Sequence, residues 1–146
     1  MTMNIQNLVE ILKVNEGLRL TPYRCTAGKL TIGYGHTGPS VVEGIKWTKQ
    51  TAEHVLLNDA RNVAADLDWH LSWWRNLSDT RQEALADMAF NLGIQRLQGF
   101  QKMLEALRRG RWQEAAVQCL DSRYARQVGN RAKRNAFVFE HGRWPE

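Results

Sequence analysis

The stretch that decides the fold is Asn15-Glu16-Gly17-Leu18-Arg19-Leu20-Thr21-Pro22-Tyr23-Arg24-Cys25-Thr26-Ala27-Gly28-Lys29-Leu30-Thr31-Ile32-Gly33-Tyr34-Gly35-His36. Before it, Ile5, Leu8, Val9 and Leu12 recur at helical spacing, which predicts an amphipathic helix over about residues 4–14. Gly17 stops that helix and leaves Glu16 at its C-terminal end. Leu18 and Leu20, then Leu30, Ile32 and Tyr34, alternate with polar or small residues as strands do, and Ala27-Gly28 is the turn between them. Gly33, Gly35, Gly38 and Pro39 then break the regularity. Along this small hairpin lie a carboxyl at Glu16, a thiol at Cys25 and a hydroxyl at Thr31. If the turn folds the strands together, three groups able to move a proton or hold a water converge.

Outward from the hairpin the pattern turns helical. Thr48 is an N-cap candidate for a long helix through Val55, Leu56, Ala60, Val63 and Leu67. A second helix is expected after Asp79, with Gln82 three residues on in a capping-box pattern, running to Gly93. Further helices are expected over residues 100–109, 111–120 and 131–140, the last before Gly142. No internal repeat emerges. The fold class is therefore α+β, a small N-terminal β-hairpin lobe joined by a long helix to a helical C-terminal lobe.

At 146 residues the chain fits one domain. The expected organisation is a β lobe over about 15–47, a connecting helix over about 48–68, and a helical lobe from about 1–14 and 69–146. The formal charge of +5 favours polyanionic partners such as nucleic acid, anionic lipid or an acidic wall polymer, or serves solubility alone. Cys25 and Cys119 have no CxxC-type spacing and are expected as free thiols. His36, His54, His70 and His141 are scattered without an HExxH pattern, so no metal site and no cofactor is expected. No secretory signal is readable in residues 1–14, and the apolar runs fall far short of a membrane span. The expectation is a monomer made in the cytoplasm, without stable membrane insertion, which something else must release.

The residues of this stretch, in this order, resemble the phage-type lysozymes, the endolysin muramidases of glycoside hydrolase family 24. The Asn15-Glu16-Gly17-Leu18-Arg19-Leu20 run, the Cys25 and Thr31 spacing, and Thr31-Ile32-Gly33-Tyr34-Gly35-His36 carry the likeness. It continues through Ala84-Leu85, Met88-Ala89-Phe90-Asn91-Leu92-Gly93, Gly99-Phe100, Arg111-Trp112, Glu114-Ala115-Ala116 and Asn130-Arg131-Ala132-Lys133-Arg134, covering about residues 5 to 144. The resemblance implies a lysozyme fold with an active-site cleft between its lobes. It also implies hydrolysis of the β-1,4 bond between N-acetylmuramic acid and N-acetylglucosamine in peptidoglycan, with release through a holin-type opening. The family's middle catalytic position is most often Asp, whereas this chain has Cys25.

Hydrolysis of a glycoside needs an acid for the leaving oxygen and a partner that attacks the sugar or activates water. Glu16 suits the acid role, with a surface ion-paired carboxylate as the plain alternative. Cys25 could be a nucleophile, a base for water, a water-orienting group beside Thr31, or an inert buried thiol. The base or water-orienting role is preferred, because the resemblance implies an inverting reaction with Thr31 holding the incoming water. By the same resemblance Arg131 accompanies the acid, and His36 pairs with Asp59 as a structural ion pair near the hinge. Asn91 is a candidate for sugar contacts.

Six tryptophans could stack on sugars, but in helices most are expected in packing roles. Arg19, Arg24, Lys29, Arg126, Arg131, Lys133 and Arg134 could attract acidic peptide stems. Two other classes compete: a catalytically impaired wall-binding or tail-associated structural module, and a nucleic-acid binder using the basic helix with Phe137 and Phe139. No recognition motif supports the latter, so glycan strands are the expected partner and nucleic acid is not.

Overall fold

The computed structural model describes residues 3–146. It is largely helical with one two-stranded antiparallel sheet, an α+β fold as expected. The elements are α1 (Ile5–Glu16), β1 (Arg19–Arg24), β2 (Leu30–Gly33), α2 (Lys49–His70), α3 (Asp79–Leu92), α4 (Ile94–Gln98), α5 (Gln101–Arg108), α6 (Trp112–Leu120), α7 (Arg123–Val128) and α8 (Asn130–His141). The described residues divide into two compact units, one spanning Ile5–Asn62 and the other Val63–Glu146 with Met3 and Asn4. The division falls within α2, and α1 groups with the sheet rather than with the residues after 69.

In the smaller unit, α1 buries Leu8, Val9 and Leu12, the stripe that its periodicity announces. Lys13 ties α1 to α2 through Glu53 at 3.3 Å, and its ammonium lies 5.9 Å from the Tyr34 ring. Ile32, Tyr34, Val41, Ala52 and Leu56 are buried in the same unit. Thr48 caps α2 as expected, its hydroxyl accepting from the Thr51 N–H at 3.1 Å.

In the larger unit, α3 is the central element. Residues 82–89 are all buried, so this helix is covered on every side. Ala84, Ala86 and Ala89 are small enough to let neighbours approach closely, while Leu85 and Met88 each contribute ~2 kcal/mol by burial. α8 packs on α3 and α6, burying Ala132, Ala136, Val138 and Phe139. Arg81 fastens the end of α8: its Nε donates to the Phe139 carbonyl at 2.9 Å and its Nη2 to the Glu140 carbonyl at 3.1 Å. The same guanidinium stacks 3.7 Å from the Trp112 ring, and burial lowers its pKa.

Three details depart from the sequence reading. The cap of α3 is Ser78, whose hydroxyl accepts from the Arg81 N–H at 3.4 Å, and Asp79 is already helical. Gln82 does not close a capping box. It is fully buried, donating to the Leu77 carbonyl at 2.7 Å and accepting from the Met3 N–H at 3.3 Å. The short helices α4 and α7 were not anticipated, since each is too brief to show a period.

Candidate active site

The hairpin brings Cys25 and Thr31 together. β1 and β2 pair Tyr23 with Thr31 and Arg24 with Leu30, whereas Arg19 pairs with Gly33, so β1 carries an irregularity between Arg19 and Tyr23. Pro22 sits in that irregular stretch, where its missing N–H is tolerated. At the turn, the Cys25 N–H donates to the Lys29 carbonyl at 3.0 Å and the Gly28 N–H to the Cys25 carbonyl at 2.8 Å. Gly28 has φ 79°, which explains a glycine there. Arg24 clamps the turn through the Gly28 carbonyl at 3.1 Å.

This turn shapes the chemistry of the thiol. Burial pushes the Cys25 pKa up, but the backbone N–H groups of Lys29 and Ala27 and its own N–H favour the thiolate. The net effect holds it below the ordinary thiol value. Cys25 is half-buried and free, as expected. Cys119 is the opposite case, a free thiol in the core pushed up to about 12 by burial. Thr31 is 2% exposed, and its hydroxyl donates to the Lys29 carbonyl at 2.9 Å.

Glu16 ends α1, where the Gly17 N–H bonds back to the Lys13 carbonyl at 3.0 Å. Its carboxyl lies against Gly35: a Cβ at position 35 would sit 2.9 Å from Glu16 Cδ and 3.1 Å from Cγ. Tyr23 lies within electrostatic reach of both this acid and the thiol. Its phenol is raised first by burial and then by the negative charges of Glu16 and Cys25, with Arg19 opposing. The Arg19 guanidinium lies 4.9 Å from its ring. Tyr23 was not singled out from the sequence, although strand alternation places it two residues from Cys25 and its register places it opposite Thr31.

His36 closes a small turn behind the acid. Its N–H and C=O both bond Ile32 at 2.9 Å, enclosing Gly33, Tyr34 and Gly35. His36 Nδ1 and Asp59 Oδ2 are 2.6 Å apart, so the pair suggested by the resemblance is made. Trp47 packs on this turn, its ring centroid 5.6 Å from that of His36 and its edge against Gly33.

The larger unit holds Arg131 and Asn91. Arg131 is bound by the fully buried Asp87, Nε at 3.0 Å and Nη2 at 2.8 Å. Asn135 donates to Asp87 at 2.9 Å, and its amide lies 3.0 Å from the Tyr124 hydroxyl. Burial, followed by the Asp87 charge, raises the Tyr124 phenol. None of Asp87, Asn135 and Tyr124 was foreseen. Asn91 is exposed in the last turn of α3. Among the tryptophans Trp74 is fully buried, Trp47, Trp73, Trp112 and Trp144 are half-buried, and Trp69 is the exposed exception at 84% to the packing role expected for most.

A groove of about 530 Å³ in this unit is floored by Phe100, Met103 and Tyr124 and edged by Arg96, Lys102 and Arg123. It includes none of the expected site residues. Among the described residues, no three His, Cys, Asp or Glu side chains cluster to hold a metal ion, and no helix is long and apolar enough to cross a membrane.

Comparison with known proteins adds to this geometry. A family model described as phage lysozyme matches residues 13–136, a span that includes every expected site residue. Probable T4-type lysozyme 2 of Dictyostelium discoideum is 28% identical over 163 residues, covering 94% of this chain and 96% of that protein. An endolysin of Acyrthosiphon pisum secondary endosymbiont phage 1 is 36% identical over 84 residues, 58% of this chain and 56% of that protein. The pre-baseplate central spike protein Gp5 of Enterobacteria phage T4 is 28% identical over 160 residues, 93% of this chain and 28% of that protein.

Proposed function

The chain belongs to the phage lysozyme family and is a peptidoglycan-degrading hydrolase, and from that premise we propose that Glu16, Cys25 and Thr31 cleave the β-1,4 bond between N-acetylmuramic acid and N-acetylglucosamine. The observation that supports the reading is the hairpin register, which sets Tyr23 opposite Thr31 and bonds the Cys25 N–H to the Lys29 carbonyl, in a unit that also holds Glu16. In the reading, Glu16 gives its proton to the glycosidic oxygen as the bond from the anomeric carbon breaks. A water held by Thr31 attacks from the opposite face, and Cys25 as thiolate takes its proton. Thr31 Oγ1 gives its hydrogen to the Lys29 carbonyl, which leaves its lone pairs free to accept from such a water. Exchange with solvent then returns a proton to Glu16 and removes one from Cys25.

A thiol suits this role better than an electrostatic one. An unperturbed cysteine is only a few per cent ionised at neutral pH, and the backbone N–H groups of the turn raise that fraction. Arg131 and Asn91 are proposed as residues that support the acid or contact the sugars. The His36–Asp59 pair has a structural part.

The test is release of reducing ends from purified peptidoglycan, together with clearing of permeabilised Gram-negative cells. Native protein should do both. Glu16→Gln, folded by circular dichroism, should lose about 100-fold or more in rate, the size of a general acid contribution. Clearing at the native rate by Glu16→Gln would remove Glu16 from the reaction. Binding to peptidoglycan by native protein with no reducing ends released would favour an impaired wall-binding module instead.

A further inference from the structure

The geometry points to Gly35 as a positioning residue for the acid. The Gly33-Tyr34-Gly35 turn is a backbone bracket for the Glu16 carboxyl, and the His36–Asp59 pair is its clasp. The inference rests on the reading of Glu16 as the acid and concerns what fixes its orientation.

Three observations build the bracket. First, Gly35 presents bare backbone to Glu16: a Cβ there would lie 2.9 Å from Cδ and 3.1 Å from Cγ, inside the ~3.5–4.0 Å at which carbon atoms normally meet. The carboxyl would have to withdraw by roughly 0.6 to 1 Å to restore that contact distance. Second, the turn cannot drift. Ile32 and His36 exchange two backbone hydrogen bonds at 2.9 Å, and Gly33 and Gly35 hold φ of 68° and 74°, which suit glycine. Third, the turn is anchored outside the sheet. His36 Nδ1 meets Asp59 of α2 at 2.6 Å, and the Trp47 ring leans on Gly33. Glu16 ends a helix that Gly17 terminates, so its backbone has no further turn to hold it. The wall supplied by Gly35 limits where the carboxyl can go, and through His36 that wall is tied to α2.

The test compares Gly35→Ala with Gly44→Ala in turnover of soluble peptidoglycan fragments. Gly44 lies in the same unit with φ 90° and open space around the added Cβ, so it reports backbone strain without a clash. Gly44→Ala is expected to keep native kcat and KM within about threefold. Gly35→Ala is expected to lose about 100-fold in kcat with KM within about threefold, as a displacement near 1 Å at a reacting group does. A kcat loss below tenfold, or a KM rising in step with the loss, overturns the inference.

If Gly35→Ala does not fold, Gly35→Ala combined with Glu16→Ala decides. Folding of the double variant supports the contact as the cause, and failure of both overturns it. Glu16→Gln measured alongside separates the two claims. Native activity in that variant defeats the acid assignment. An inactive Glu16→Gln beside a near-native Gly35→Ala defeats the bracket alone.

Discussion

Replacing Asp87 by Ala should be among the most destabilising single changes in the larger unit. Its carboxylate is fully buried, accepting from Arg131 Nε at 3.0 Å, Arg131 Nη2 at 2.8 Å and Asn135 Nδ2 at 2.9 Å. Deleting it removes two charge-assisted hydrogen bonds from the Arg131 guanidinium, whose side chain is only 11% exposed, and one from the Asn135 amide at a site 1% exposed. Breaking a buried, hydrogen-bonded ion pair by removing one partner costs ~3–5 kcal/mol. For a chain of this length an unfolding entropy near 0.3 kcal/mol/K converts this to a fall in Tm of about 10–15 °C. Urea titration followed by circular dichroism measures the free energy and calorimetry the midpoint. A second variant separates charge from packing: Tyr124→Phe loses one hydrogen bond to Asn135 and should cost about 1 kcal/mol. A loss below 1 kcal/mol in Asp87→Ala would refute the reasoning, since the three hydrogen bonds to the buried carboxylate would then contribute almost nothing.

Two other perturbations follow from local geometry. Iodoacetamide should alkylate native Cys25 with a half-maximal rate below the pH of an unstructured cysteine, and leave the buried Cys119 untouched, as read by mass spectrometry. Because the folded pKa of Cys25 is depressed, its contribution to stability is present above the unfolded thiol pKa and is lost as pH falls through the folded value. Reaction of Cys119 at the same rate would contradict this. Ser78→Ala should cost about 1 kcal/mol by urea titration through loss of the α3 cap, while Asp79→Ala leaves that cap intact. Equal or reversed costs would return the cap to Asp79.

What the sequence reveals and what it hides divide along physical lines. Helix α1 and the hairpin were legible because Leu8, Val9 and Leu12 repeat at 3.6 residues and Ala27-Gly28 marks a turn. Cys25 and Thr31 were legible as a pair for the same local reason, since a tight turn brings near neighbours together. The His36–Asp59 contact spans two elements and came from family likeness alone. Asp87 gave a weak signal, a carboxylate within the apolar run of α3, but its partners lie on α8 and no local pattern names them. The bracket at Gly35 was less visible still, because a glycine in a turn looks the same whether its missing Cβ faces solvent or a carboxyl. The cap of α3 was misplaced by one residue because Ser78 and Asp79 are both good caps, and only backbone geometry chooses between them.

The most direct test of the account is the configuration of the first product, read by proton NMR within seconds of mixing native enzyme with soluble peptidoglycan fragments. On the proposed mechanism, water activated by Cys25 and held by Thr31 attacks opposite the leaving group, so a β-linked substrate should give the α anomer first. Initial release of the β anomer would mean a covalent glycosyl intermediate, and would make Cys25 a nucleophile rather than a base for water.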